Sequence, residues 1–423
     1  MNFENALSFA QSLDRQDPLQ GFRKKFHIPS VNGQEAVYFT GNSLGLQPVT
    51  TEEALKQELD DWKNLGVEGH FKGKNPWFSY HHFLTESAAK IVGGKKHEVV
   101  MMNQLTSNLH FLFVSFYRPD AGRYKIIMEA GAFPSDMYTV ESQVRFHGFN
   151  PEDAIVEVKP RDNEYHIRHE DILAAIETHK DSLALVFFSG VQYYTGQVFN
   201  IREITAKAHA CGAIAGFDLA HAAGNILLKL NEWEVDFAAW CTYKYLNSGP
   251  GGVGGAFVHE KHAADSSLPR FAGWWGHNEA ERFKMLKGFS PSYGAEGWQL
   301  SNAPVLSMAA HKASLEIFDE AGMDRITEKA AQLNRFLSFV VDDAMAANPH
   351  LQFTVITPAA PERSCQLSLL TGANGKQIFD YLTENGVIAD WRNPNVIRMA
   401  PVPLYNSFED IYKFGSLLKS FKP

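Results

Sequence analysis

Between about residue 95 and residue 260, short runs of β-branched and apolar residues alternate with stretches whose apolar positions recur at helical spacing. The runs EVVMM, KIIMEA, AIVEV, LALVFFS, AIAGFD and DFAAWC are read as strands. Between them, LTSNLHFLFVSFY, PSDMYTVESQVRFHG, EDILAAIETH and REITAKAHA have helical patterns, with Pro134 suited to a first helical turn and Gly212 to a helix end. The alternation predicts an α/β architecture, βαβ units around a mostly parallel sheet flanked by helices. Past residue 300, two long helices are predicted over APVLSMAAHKASLEIFDEAG and DRITEKAAQLNRFLSFVVDDAMAA. QLSLL, KQIFDYLTENG, NVIRMA and FEDIYKFGSLLKSF follow, which points to a smaller α+β domain. The expected organisation is an N-terminal segment, 1–70, built around the short strand VYFT and packing on both domains, a large domain, 71–310, and a small C-terminal domain, 311–423.

Composition narrows the classes. A chain of 423 residues, 45% hydrophobic and 21% charged, has length enough for two or three domains without disulfide staples, which excludes a disordered or collagen-like chain. With 39 basic and 48 acidic side chains the net charge is −9, and the longest basic run is Arg23-Lys24-Lys25, so nucleic acid is not an expected partner. Cys211, Cys241 and Cys365 are odd in number and widely spaced, as expected of reduced thiols in a cytoplasmic protein. The first residues, MNFENALSFAQSLDRQ, lack the apolar core of a signal peptide, and no apolar run approaches the length of a membrane span, so no membrane partner is expected.

Several motifs offer chemistry that their context denies. GNSLG, Gly41 to Gly45, matches the G-x-S-x-G nucleophile elbow, with Asp218 and His221 following in the order of a hydrolase triad. The elbow comes too early for a sheet to precede it, and the glycines are read as a tight turn. SGPGGVGG contains G-x-G-x-x-G but leads into the strand-like AFVHE rather than a helix, so it is not a dinucleotide fingerprint. His81-His82 and His259-Glu260-Lys261-His262 lack a third ligand at sensible spacing and are read as solvated, with no metal site expected.

The informative constellation is GFDLAHAAGN followed by CTYKYLNSGPGG, in which Asp218 and Lys244 come just after successive strand-like runs. A carboxylate at the carboxyl end of AIAGF projects into the crevice where open α/β sheets bind ligands. Lys244, soon after the next strand, can reach the same crevice, where an amine forms Schiff bases with carbonyl compounds. An aspartate beside such a lysine suits pyridoxal 5'-phosphate, whose protonated pyridine nitrogen needs a carboxylate.

These residues and their neighbours resemble the kynureninases, members of the fold-type I, aspartate-aminotransferase-like family of pyridoxal-phosphate enzymes. The likeness runs through YFTGNSLGLQP, NQLTSNLH, EAGAFPSDMYTVESQVRFHG, FSGVQYYTGQ, GFDLAHAAGN, CTYKYLNSGPGG, GWWGH, GAEGWQLSNAP and RMAPVPLYNSFED, in the family's order, from residue 38 to about 410. It implies that Lys244 links covalently to the cofactor, Asp218 pairs with the pyridine nitrogen and Phe133 stacks on the ring. Leu105, Thr106 and Tyr243 would hold the phosphate. Pro134, Ser135, Asp136, Ser189 and His221 match cofactor-contacting positions, and Trp274 and Asn302 match positions that reach the partner's site in a homodimer. Arg398 would grip the substrate α-carboxylate, with Asn42, Ser43, His70, Tyr194, Ser301 and Asn302 around the rest of the substrate. The implied activity is hydrolytic cleavage of L-kynurenine, its 3-hydroxy form, or both, to anthranilate or 3-hydroxyanthranilate and L-alanine, within tryptophan degradation or NAD synthesis, with Lys244 and Tyr243 moving protons. The nearest alternatives on the same scaffold are a cysteine desulfurase, which needs a nucleophilic cysteine, and a class V aminotransferase. A noncatalytic binding protein of the same fold is the alternative of another class.

Overall fold

The computed structural model describes residues 3–423. Seven strands form the central sheet: β1 (Val99–Met101), β2 (Lys125–Glu129), β3 (Ile155–Val158), β4 (Leu183–Ser189), β5 (Ile214–Asp218), β6 (Phe237–Trp240) and β7 (Gly255–Val258). Their spatial order is β1-β7-β6-β5-β4-β2-β3. β2 through β6 pair in parallel, and β7 runs antiparallel to both β6 and β1. The six strands read from the sequence are all present; β7 is the strand-like run after the glycines, inserted between β1 and β6.

The sheet is buried on both faces. One apolar cluster includes Ile127, Val186, Phe188, Phe217 and Trp240, and the other includes Ile126, Leu185, Phe187, Phe237 and Ala239. Alternate residues along each strand serve opposite faces, which is why these strands read as continuous apolar runs. Each such Phe or Val side chain contributes about 1.5–3 kcal/mol on burial.

A four-stranded antiparallel sheet, formed by Phe353–Val355, Leu367–Thr371, Asp390–Arg392 and Val396–Met399, makes the second unit. The two long helices run Val305–Ala321 and Met323–Ala347, separated by Gly322 at φ 75°. The second helix serves both cores: Ile326 and Ala330 lie in the large cluster, whereas Leu333, Phe336, Leu337 and Val340 lie in the small one.

The N-terminal segment attaches at both places. Val37–Tyr38 pairs in parallel with Val387–Ile388, and both carboxylate oxygens of Asp14 accept N–H bonds from Phe408 and Glu409 at the start of the last helix, Phe408–Ser420. Farther on, helix Thr51–Leu65 packs on Val305–Ala321, and its buried Glu58 accepts bonds from Asn75, Trp77 and Tyr80. No helix among the described residues is long and apolar enough to cross a membrane.

Candidate active site

The parallel register sets the site. Ser189 and Asp218 are paired at the ends of β4 and β5, and Asp218 is paired with Ala239 of β6, so the residues that follow these strands open into one cleft. Gln104, Leu105, Thr106, Phe133, Ser135, Asp136, Ser189, Asp218, His221, Tyr243 and Lys244 line it. This is the crevice beyond the carboxyl ends of the strands, where α/β sheets place ligands.

Lys244 is buried in the turn after β6, its Nζ 5.7 Å from the ring centroid of Phe133 and 5.9 Å from that of Tyr243. Asp218 is buried and accepts a 2.7 Å bond from the N–H of Ala220. The carboxyl of Asp136 faces it. Burial, then the charge of Asp218, holds Asp136 well above the usual carboxylate range; burial raises Asp218 too, opposed by the Asp136 hydrogen bond and by Lys244. Asp136 is thus the member of the pair that keeps the proton. Burial also drives His221 well below its ordinary value and raises the Tyr243 phenol, so both rings are neutral near pH 7.

Helix Leu105–Phe116 opens on the cleft with no side chain capping it, which leaves first-turn N–H groups beside the Thr106 hydroxyl for an anion. Phe133 is the N-cap of helix Pro134–Phe146, and Pro134 at the first helical position lies outside the lining. Phe133 is 37% exposed, leaving a ring face free above the lysine. An uncapped helix N-terminus, an exposed aromatic face, a buried carboxylate pair with an unpartnered Asp136 Oδ1, and a lysine are the donor set that pyridoxal phosphate requires.

The GNSLG loop docks directly on the lysine turn. The N–H of Gly45 donates to the Tyr243 carbonyl at 2.8 Å, and a Cβ on Gly45 would stand 2.3 Å from the Lys244 carbonyl oxygen. The expected tight turn forms, with the Ser43 and Leu44 N–H groups donating to the Thr40 carbonyl, but neither Gly41 nor Gly45 has positive φ, and close approach is what glycine supplies. Ser43 donates to Asp390 at 3.0 Å, and no triad forms.

Arg398 is buried on Val396–Met399, where Asp390 and the Tyr193 carbonyl accept from its guanidinium and the Ser43 hydroxyl lies 3.5 Å away. Asn42 donates to Gln366 at 3.2 Å. The small sheet is further tied to the loop after β4: Gln366, Ser368 and Thr357 donate to the carbonyls of Tyr193, Tyr194 and Thr195.

Some expected residues lie elsewhere. Tyr193, not Tyr194, lines the cleft, edge-on to Phe133 at 5.1 Å. His70 packs on Trp77 and Phe71, and Trp274 on Trp275 and Phe283, while Ser301 and Asn302 are exposed; none of the four lines this chain's cleft. Gln104, Glu129 and Tyr193 in the lining, and Asp390 beside Arg398, escaped the sequence reading. Glu129 ends β2 inside the cleft and accepts from the Ser189 hydroxyl at 2.5 Å. Only its place, a carboxylate at a strand's carboxyl end like Asp218, could have pointed to it.

The histidine pairs also differ from expectation. His81 and His259 are buried rather than solvated, and Glu296, from a distant part of the chain, joins the first pair. His259 instead caps a turn by accepting from the Lys261 N–H, and His262 pairs with Asp236. Cys365 is fully buried just before a strand of the small sheet, its thiol pushed up to about 12 by burial, unlike a nucleophilic cysteine in an open loop.

Comparison with known proteins follows the same lines. Residues 326–418 match the family described as kynureninase C-terminal domain. Among curated proteins, the kynureninase of Flavobacterium psychrophilum is 55% identical over 420 residues, covering 99% of each chain, and that of Flavobacterium johnsoniae is 54% identical with the same coverage. The kynureninase of Nematostella vectensis is 47% identical, covering 97% of this chain and 93% of its own. Among solved structures, the cystine C-S lyase C-DES with cysteine persulfide superposes with a TM-score of 0.74 at 19% identity, covering 92% of this chain and 98% of its own. The cysteine desulfurase CsdA of Escherichia coli gives 0.74 at 17% identity, covering 95% and 98%.

Proposed function

The chain belongs to the kynureninase family, and from that premise we propose that it is a pyridoxal-phosphate-dependent hydrolase cleaving L-kynurenine, its 3-hydroxy derivative, or both, between Cβ and Cγ. The products are L-alanine and anthranilate or its 3-hydroxy form, which places the enzyme in tryptophan degradation or NAD synthesis. The observation that carries this reading is the meeting of Lys244, the Asp136–Asp218 pair and the uncapped start of helix Leu105–Phe116 in one cleft, with Arg398 outside the lining but donating to the carbonyl of Tyr193, which belongs to it.

Pyridoxal phosphate, when bound, would supply an electron sink joined to the substrate through its α-amino nitrogen. Leu105 and Thr106 hold the phosphate, with Tyr243 beside them, and Phe133 covers the ring. Ser135, Ser189 and His221 line the surrounding wall. Asp136 retains its proton, leaving Asp218 as the charge that meets the pyridine nitrogen. The Lys244 amine is the group that would attach the cofactor, and as a free amine it would be the base for the Cα proton. Tyr243 keeps its phenol proton because of burial and can give it to the γ-carbonyl oxygen as water adds. Arg398 grips the α-carboxylate through two parallel hydrogen bonds, near Asn42 and Ser43.

A homodimer with shared sites fits the surface. Phe71, Phe78, Phe283 and Trp274 form one contiguous aromatic patch with ring centroids 5.4–5.9 Å apart; Phe71, Phe283 and Trp274 are exposed, and His70 borders the patch. A second copy covering this patch would carry Trp274, His70, Ser301 and Asn302 towards its partner's cleft. We place the enzyme in the cytoplasm, which its three free cysteines support.

The test is anthranilate fluorescence after L-kynurenine, then the 3-hydroxy substrate, is added to protein reconstituted with pyridoxal phosphate. Turnover by wild type but not Lys244→Ala, which should also lose the visible absorbance of the lysine-linked cofactor, is expected. Cofactor absorbance without cleavage of either substrate would sink the assignment.

A further inference from the structure

Helix His82–Val92 starts against the turn Gly294–Trp298, and three side chains of ligand type meet at that joint. The same turn also meets the chain beyond that helix, where a Cβ on Gly294 would stand 2.1 Å from the His97 carbonyl oxygen. Nε2 of His82 lies 2.9 Å, and Nε2 of His81 3.6 Å, from the same oxygen, Oε1 of Glu296. The ligand atoms of all three fall within 4.8 Å of one another.

We propose that His81, His82 and Glu296 bind a divalent transition cation of the zinc class, at a site separate from the cofactor cleft. Two imidazoles and one carboxylate are a donor set that zinc accepts at three of four tetrahedral positions. Bonds of about 2.0–2.1 Å set tetrahedral ligand atoms about 3.3 Å apart. The 2.9 Å and 3.6 Å separations from Glu296 Oε1 bracket that edge, and the third, between the two imidazoles, lies within 4.8 Å.

Both imidazoles pair with Glu296, His82 at hydrogen-bond distance and His81 more loosely. The His81 side chain is only 4% exposed, its Nδ1 has no partner, and its Nε2 is beyond hydrogen-bonding reach of Glu296. A metal bond at Nε2 would give that atom a closer partner than the 3.6 Å contact, while Nδ1 stays unpartnered. Glu279 adds negative charge near His82 and Lys96 positive charge, so the surroundings neither strongly attract nor repel a cation. His82 and Glu296 are 34% and 26% exposed, which leaves an approach for the ion and for a water at the fourth position. The ion would pin the start of helix His82–Val92 to the stretch that runs on to Ser301 and Asn302, a structural role.

Holoenzyme freed of metal with a chelator is titrated with Zn²⁺ alone against a chromophoric competitor at neutral pH, beside His82→Ala, His82→Gln and Glu296→Gln. Unchanged cofactor absorbance in each variant reports that the fold is intact. One equivalent of zinc per chain is expected for wild type, with binding about tenfold weaker or more in every variant. Co²⁺ should give the intense visible bands of a four-coordinate site in wild type only. Absence of uptake by wild type, or equal uptake by wild type and variants, would overturn the proposal and leave a His–Glu ion pair.

Discussion

Asp390 and Arg398 stand directly opposite each other on paired antiparallel strands, and the aspartate accepts from the arginine's Nη2. The guanidinium is therefore held by an internal carboxylate before any ligand arrives, and burial lowers its pKa. Arg398→Ala should cost about 2–5 kcal/mol in kcat/KM, carried mainly by KM, with the cofactor absorbance retained. Asp390→Asn should lower the melting temperature by leaving the buried cation underpaired. Substrate, a replacement carboxylate, should then raise it more in this variant than in wild type. An equal substrate-induced shift in both proteins would remove Asp390 from this role.

Glu129 titrates unusually late. Burial pushes its carboxyl up to about 7 against the lowering effect of the Ser189 bonds. A carboxyl whose folded value is raised above its unfolded 4.5 favours the folded state most at low pH and loses that contribution as pH climbs towards 7. The loss amounts to about 3 kcal/mol. Denaturant melts of the cofactor-free protein should show stability falling across this window, and Glu129→Gln should flatten that component. Parallel profiles for the two proteins would mean that Glu129 is already ionised at pH 5.

Gly45→Ala should separate the GNSLG loop from the lysine turn. The new methyl would meet the Lys244 carbonyl and the Asn247 side chain, each at 2.3 Å, and the first of these is backbone that cannot rotate away. Overpacking of this kind costs about 1–3 kcal/mol. Weaker cofactor retention on dialysis, with a lower melting temperature, is the expected result.

Cys365→Ala should leave kynurenine cleavage within about twofold of wild type, because a thiol pushed up to about 12 is almost wholly protonated at pH 7. Cysteine should yield no persulfide from either protein. Sulfide release that vanished in the variant would favour the desulfurase alternative.

The large sheet was legible because its parallel strands, apart from the partly buried edge strand β3, are buried on both faces and so stand out as apolar runs. β7 was harder to place: Gly255–Val258 is equally apolar, but its antiparallel insertion joins the neighbouring β6 to β1, which lies at the far end of the large domain's sequence. Phe353–Val355 and Asp390–Arg392 went unread, being very short and only partly buried. At the site, Lys244, Asp218 and Phe133 follow strands whose ends could be read, and they converge. Asp390 could not be foreseen as the partner of Arg398, since that depends on hairpin register. The Glu296 contact with His81 and His82 likewise joins segments far apart in the chain, which spacing rules for metal ligands do not cover.

The hydrogen bonds from Gln366, Ser368, Thr357 and Arg398 all land on the carbonyls of Tyr193 to Thr195, and the Tyr193 ring meets Phe133 edge-on. The small sheet is thus linked to Phe133 through a single short strut. Under the proposed function, a shift that carried Arg398 onto a substrate carboxylate would pull on Tyr193 and, through it, on Phe133. Recognition of the amino-acid end would then be coupled to the ring's cover, and a ligand without the carboxylate would engage neither.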